Sequence, residues 1–351
     1  MSVIVPARNE EACLHACLDS LSAQQGIAFE IIVVNDGSTD RTREIAASYN
    51  QVRVIDAPAL PPGWTGKNNA VTAGARIAEG EWLLFTDADT VHLPGSLRRS
   101  VAEAQKNRAA LLSYSPEQIV SGLAQRAVMP LIFAELATTY RPTDVSDPSS
   151  PVAAANGQYL LISREAYDSV GGHAAVAGDL LEDVALAREV KKSGRRIFFR
   201  YGSDAVRTRM YRSFGDMREG WTKNLAVLFA APQRLALLRF TEFALLAAGI
   251  AVTVLLFRLH APFRAVVVGL STATGFDIFF SRVRKAHFSW LSNTLAFPGL
   301  PVFAYLLLRS TLSYKNGNVA WKGRRYEVPE PHPSSKREAD VPMLSHNNSD
   351  V

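Results

Sequence analysis

The pattern best suited to chemistry in the 351-residue chain is a pair of carboxylates, Asp87 and Asp89, one residue apart and directly after the apolar run Trp82-Leu83-Leu84-Phe85. Residues two apart on an extended chain share a face, so the pair can grip a hard divalent cation, Mg2+ or Mn2+, completed by phosphate oxygens and water. Asp-x-Asp occurs by chance in many loops; the preceding buried run gives it weight here. Two more acids follow apolar runs in the same way, Glu10 after Ser2 to Pro6 and Asp36 after Phe29 to Val34. Further on, Glu182 and Asp183 open an amphipathic segment that ends at Gly194. Acids at a helix start also serve the helix dipole alone. Within Asp36-Gly37-Ser38-Thr39-Asp40, Asp40 reads as turn and helix-cap chemistry, whereas Asp36 reads as a ligand contact.

These groups need a frame that brings them together. Strand-like runs cover Ser2 to Pro6, Phe29 to Val34, Val52 to Ile55, Glu81 to Thr86 and Ala109 to Tyr114, and helical patterns fall near 10–24, 40–49, 67–78 and 95–107. Such alternation predicts an α/β fold, a largely parallel sheet with helices on both faces, whose ligands bind beyond the carboxyl ends of the strands. Acids at three strand ends then share one rim, where their repulsion calls for a cation or hydrogen-bond donors. The chain has no G-x-x-x-x-G-K-[ST] and no G-x-G-x-x-G after the first strand, so an ATPase or a dinucleotide dehydrogenase is not supported. Ala155-Asn156-Gly157-Gln158, before a strand at Tyr159 to Ser163, and Gly171-Gly172-His173 read as loops bordering the cleft. A lone histidine such as His173 is more often a turn or packing residue.

Charge and hydropathy divide the chain. Residues 1–230 hold 24 of the 38 basic and 26 of the 33 acidic side chains, so the whole excess of +5 comes from the remainder. That remainder carries the uncharged runs 243–257 and 288–308, with a shorter one at 265–276, and predicts two or three transmembrane helices. Arg282, Arg284 and Lys285, and Lys315, Lys322, Arg324 and Arg325, flank them as expected beside an anionic cytoplasmic leaflet. The basic surplus tracks these apolar runs, so no nucleic-acid partner is expected. Cys13 and Cys17 read as core fillers in a reducing compartment. No cleavable apolar leader precedes Ser2, which predicts a cytoplasmic catalytic part on a multi-pass protein of the inner membrane. Leu123 to Tyr140 reads either as a helix at the membrane surface or as a core helix. The predicted organisation is a catalytic domain over 1–230, a membrane region over 231–328 and a disordered tail over 329–351.

Five motifs, VIVPARNEE (3–11), VVNDGSTDRT (33–42), AEGEWLLFTDADT (78–90), LLEDVALAREVKKSG (180–194) and WKGRRY (321–326), together resemble the family 2 glycosyltransferases with the GT-A fold, a Rossmann-like arrangement, over about residues 2–225. PPGWTGKNNA (61–70) and the apolar C-terminal part further resemble the membrane-attached branch acting on lipid acceptors, such as hopanoid- and carotenoid-pathway transferases. The resemblance implies that Glu10 and Asp36 contact the base and ribose of a nucleotide-diphosphate sugar, and that Lys67 meets the donor. It implies Asp89 as direct metal ligand, Asp87 toward the ribose or the metal, Asp183 as catalytic base and Glu182 as its supporting partner. In an inverting transfer one carboxylate deprotonates the acceptor while positive charge stabilises the leaving diphosphate.

Processive synthases of that family carry Gln-x-x-Arg-Trp. The corresponding stretch here reads Arg207-Thr208-Arg209-Met210-Tyr211-Arg212, with Trp221 nine residues later. The departure favours a single transfer over polymerisation. Arg209 and Arg212 are candidates for the diphosphate, or part of a basic face held to anionic lipids. The expectation is thus a metal-dependent inverting glycosyltransferase moving one sugar to a lipid-like acceptor at the membrane. Two alternatives remain: a processive polysaccharide synthase, and a catalytically silent nucleotide-binding scaffold.

Overall fold

A computed structural model describes residues 1–321 and 324–326; the tail expected at 329–351, with Lys322 and Gly323, lies outside them. The chain runs β1 (Ser2–Ala7), α1 (Leu14–Ser22), β2 (Glu30–Asn35), α2 (Thr42–Ala47), β3 (Val52–Asp56), α3 (Gly66–Ile77), β4 (Trp82–Phe85), β5 (Thr90–His92), α4 (Ser96–Lys106), β6 (Leu111–Ser115), β7 (Glu117–Gln118), α5 (Gly122–Thr139) and α6 (Pro142–Ser146). It continues with β8 (Leu160–Ser163), α7 (Arg164–Ser169), α8 (Glu182–Lys192), β9 (Ile197–Tyr201), β10 (Val206–Thr208) and α9 (Phe214–Leu228). Three long helices follow, α10 (Pro232–Arg258), α11 (Pro262–Val283) and α12 (Trp290–Lys315), then the short strands β11 (Val319–Trp321) and β12 (Arg324–Tyr326).

Seven strands form one sheet in the order β3-β2-β1-β4-β8-β6-β9. The first four run parallel, whereas β8 is antiparallel to both β4 and β6. Alternation along each strand builds the two sides of the core. Val3, Val5, Ile31, Val33 and Leu84 pack under α1 and α4, while Ile4, Ile32, Val34, Leu83 and Phe85 pack under α3 and α8. A fully buried Val, Ile or Leu contributes about 1.5–3 kcal/mol, so a one-residue slip of a strand is strongly disfavoured.

Crossing order places the carboxyl ends of β2, β1 and β4 side by side, and a small sheet, β5-β10-β7, folds over them. The first helix starts later than its hydrophobic pattern predicts. Asn9 takes φ +54° and residues 10–13 form a turn, which leaves Glu10 beside the strand ends instead of on α1. The run Leu123 to Tyr140 is α5, packed against α12 and α9 in a third apolar cluster. All three C-terminal apolar runs are helices long and apolar enough to cross a membrane.

Candidate active site

One cavity of about 880 Å3 opens beyond the carboxyl ends of β1, β2 and β4. Glu10, Asp36, Lys67, Asp87, Asp89, Glu182 and Asp183 all line it, although they come from five separate segments of sequence. Arg209 and Arg212 do not line it. Arg209 donates to Ser121 Oγ (3.1 Å) and Arg212 to the Ala12 carbonyl, contacts that hold the β10–α9 segment against its neighbours. The cations on the wall are instead Arg8, Lys67, Arg126, Lys223 and Lys285.

The Asp-x-Asp pair shares a direction for a reason other than the expected one. β4 stops at Phe85, and the next residues form a turn in which the Thr90 hydroxyl donates to the Asp87 carbonyl (2.6 Å). Ala88 points into the core, and both carboxylates reach the cavity. The small sheet steadies the turn from above, since the Thr208 hydroxyl donates to the Asp89 carbonyl (3.3 Å). On the neighbouring strand end, Arg8 donates to the Asp36 carbonyl (2.6 Å) and fixes the β2 loop. Asp40 accepts from the backbone N–H groups of Thr42 and Glu11 and caps its turn. Burial raises its pKa, but the Thr42 hydrogen bonds and that from Glu11 outweigh this and hold it below the ordinary carboxylate range.

Lys67 joins two motifs that are far apart in sequence. Its Nζ lies 2.7 Å from Asp87 Oδ1 and 2.7 Å from Glu182 Oε1, bridging the strand-end pair to the start of α8. Burial works against the ammonium, but Asp87, Glu182 and Asp183 together raise its pKa well above the usual lysine value. Glu182 is raised by burial and lowered by Lys67, and the lysine wins, so this carboxyl stays below its ordinary range. Asp183 behaves in the opposite way: burial, then the charge of Glu182, push it up to about 6. Its two oxygens accept from the Gly157 N–H (2.7 Å) and the Val184 N–H (2.8 Å), which fixes its orientation. Two adjacent acids thus differ in proton affinity because only one touches the lysine.

Two details explain how these segments meet. The Asn68 side chain donates to the carbonyls of Val176, Ala177 and Asp179, bolting the approach to α8 onto the N-terminus of α3. A methyl group on Gly157 would sit 2.9 Å from Lys67 Nζ and 3.4 Å from Asp183 Oδ2, so a residue without a side chain suits this close approach. The loop 155–158 does border the cavity, as its sequence suggests, but His173 does not. His173 is buried against Phe85 (4.5 Å between ring centroids) and Tyr167, and burial lowers its pKa to about 4. Sequence reading missed Asn68 and the cavity role of Lys223, whose pKa burial lowers despite nearby Glu182 and Asp183. Asn68 stands inside the segment 61–70, but its role, like that of Lys223, comes from contacts with distant segments that spacing does not encode.

Much of the remaining lining is apolar. Phe133 and Leu136 of α5, Trp221 and Leu228 of α9, and Phe288 before α12 contribute to it beside the cations Arg126 and Lys223, and it runs toward the end of α11 through Lys285 and His287. The cavity therefore has a charged floor and a greasy wall.

Known proteins fit this layout. The model described as Glycosyl transferase family 2 matches residues 2–171. The 4,4'-diaponeurosporenoate glycosyltransferase of Staphylococcus aureus (strain MRSA252) is 28% identical over 342 residues, covering 93% of this chain and 88% of that protein; its counterpart in strain USA300 is 27% identical over the same length. The mannosyltransferase PcManGT from Pyrobaculum calidifontis, solved in complex with GDP-Man and Mn2+, superposes with TM-score 0.54 at 17% identity, covering 89% of this chain and 86% of that one. That likeness shows the architecture. Residues 2–171, which hold the strand-end carboxylates, thus match a family 2 glycosyltransferase domain, and the chain's architecture is that of the GT-A glycosyltransferases.

Proposed function

We propose that the protein transfers a single sugar, with inversion, from a nucleotide-diphosphate sugar to a lipid-like acceptor at the cytoplasmic face of the inner membrane. The observation that carries this reading is the union, in one cavity, of Glu10, Asp36, Asp87, Asp89, Glu182, Asp183 and Lys67 with apolar side chains leading to the long C-terminal helices. A hydrophilic donor suits the floor and an amphiphilic acceptor suits the wall. The Staphylococcus aureus relatives are named for a carotenoid-type acceptor, which agrees with a lipid-like molecule here.

The donor set fits a divalent ion. Asp87 and Asp89 offer hard oxygens, and among the described residues no group of three or more His, Cys, Asp or Glu forms a complete cage. Mg2+ or Mn2+ suits such a half-built site, because each accepts substrate phosphates and water as the remaining ligands. Asp89 with Asp87 would hold the ion, which supplies Lewis-acid stabilisation of the departing diphosphate. Glu10 and Asp36 take the base and ribose, and Lys67 meets the donor while keeping Glu182 ionised.

Asp183 removes the acceptor proton. With its pKa near 6 it is mostly deprotonated at neutral pH yet a stronger base than an ordinary carboxylate. The backbone N–H groups of Gly157 and Val184 aim it, so attack comes from the side of the cavity that holds α8. Residues 1–230 then act as the catalytic part and 231–328 as the membrane part. The cationic stretch Arg282, Arg284 and Lys285 at the end of α11, beside the cavity, supports the cytoplasmic face. Retention of Asp36, Asp87, Asp89 and Asp183 speaks against a silent scaffold.

The test is transfer of labelled sugar from nucleotide donors into a membrane lipid extract, read by mass spectrometry and by the anomeric configuration of the product. A lipid bearing one sugar with inverted configuration is the expected product. A ladder of longer products would establish a polymerising synthase instead, and retained configuration would remove the base role.

A further inference from the structure

We infer that α12 does not cross the bilayer: it lies along the membrane-facing side of the catalytic domain, and the membrane is traversed only by the α10–α11 hairpin. This deepens the membrane-attached reading above and rests on it. By length and hydropathy alone the three helices look equivalent, but their surroundings differ. Within their most apolar stretches, α10 and α11 are 6% and 11% buried, whereas α12 is 44% buried. α10 packs on α12 through Phe243 and Phe297 but leaves Leu245, Ile250, Val254 and Leu255 exposed, and α11 exposes Phe263, Val266, Leu270 and Ile278 on the face turned from α10, as a lipid-embedded hairpin does.

Contacts hold α12 to the catalytic part along its whole length of about 39 Å. Before its start, His287 stacks on Tyr201 of β9 with ring centroids 4.3 Å apart. In its middle, Gly299 meets the α5 backbone so closely that an added methyl would fall on Ala127. Near its end, the Ser310 hydroxyl donates to the Thr222 carbonyl and the Tyr314 hydroxyl to the Lys223 carbonyl, both 2.7 Å. Beyond it, the buried Val319 begins β11, which packs on α9. A helix whose two ends touch one domain cannot deliver its second end to the far side of the membrane. If it did, α9 would travel with it, and the exposed Asp216, Arg218 and Glu219 would face hydrocarbon.

The sequence of α12 suits an in-plane position. Pro298 and Pro301 interrupt its hydrogen-bond ladder and let it follow a curved surface. Its outward face shows Trp290, Tyr305, Leu308 and Leu312, an aromatic and aliphatic set suited to the headgroup boundary. Between hairpin and domain, Arg239 of α10 and Arg282 of α11 pair with Glu135 of α5 and Glu242 of α10, at 2.8 to 3.6 Å. These charges lie near the start of α10 and the end of α11, so both ends of the hairpin return to the same level.

Single cysteines placed in the full chain at exposed positions, Gln105→Cys on α4, Leu259→Cys between α10 and α11 and Asn316→Cys after α12, decide the matter. Sealed vesicles of each orientation are treated with a membrane-impermeant maleimide, and the labelled peptides are separated by mass spectrometry from those of Cys13 and Cys17. We expect positions 105 and 316 to be labelled from one face and position 259 from the other. Labelling of 316 together with 259 would mean three crossings and overturn the inference while leaving membrane attachment intact. Labelling of all three from one face would overturn it too, by removing the hairpin crossing. Sugar transfer by the same vesicles is measured alongside, so failure of the enzymatic reading shows as absent product whatever the labelling pattern.

Discussion

The floor and the wall of the cavity are built by different physics. The floor is a set of charges held at strand ends by backbone donors and by Lys67, and its geometry follows from the parallel register of β1, β2 and β4. The wall is made of side chains from α5, α9 and the segment before α12, positioned by helix packing against the C-terminal helices. A charge displaced by a fraction of an ångström loses its role, whereas an apolar wall tolerates repacking. The floor is therefore expected to govern whether transfer occurs, and the wall what is accepted.

Removal of divalent ions with EDTA should break the floor most severely. Loss of Lewis-acid stabilisation, several kcal/mol, predicts a fall in transfer of about 10^3-fold or more, restored by Mn2+ or Mg2+. Transfer unaffected by chelation would sever Asp87 and Asp89 from the chemistry. Acidification is the next largest lever. Asp183 must be unprotonated to accept the acceptor proton, so the rate should be flat well above pH 6 and fall about tenfold per unit below it. A profile breaking near pH 4 would show that the base is an ordinary carboxylate.

The wall should answer differently. Phe133→Ala removes part of the apolar lining, and the KM for the lipid acceptor should rise roughly tenfold with donor KM unchanged. An equal rise in donor KM would mean that the two halves are not separate. The smallest effect on chemistry belongs to His173→Gln, which leaves kcat unchanged and costs about 1–3 kcal/mol of stability through its buried contact with Tyr167, seen as a lower Tm.

How far the sequence reveals this arrangement follows the same division. The strands and the acids at their ends are legible because continuous apolar runs must be buried, and the residues just past them must emerge on one rim. The family resemblance rests on those same segments. The antiparallel direction of β8 is not legible, since four residues, Leu160–Ser163, fit either direction until paired. Glu182 and Asp183 read first as helix-start charges; only their approach to Lys67 and Gly157 separates their proton affinities. The aim of Arg209 and Arg212 away from the cavity depends on how β10 pairs with β5, which spacing does not encode. Leu123 to Tyr140 left two readings open because α5 does two things: one flank packs into the helical core and the other lines the cavity. For the apolar C-terminus, hydropathy reports length and composition but not which helix already has a protein neighbour.

The most direct test of the central claim is Asp183→Asn, assayed for nucleotide-sugar binding and for sugar transfer in the same preparation. The amide keeps the shape but not the charge: its one oxygen can accept from only one of Gly157 and Val184, and it cannot take a proton. Donor affinity should remain near that of the unaltered protein while transfer falls about 10^2 to 10^4-fold. Undiminished transfer by Asp183→Asn would contradict the account.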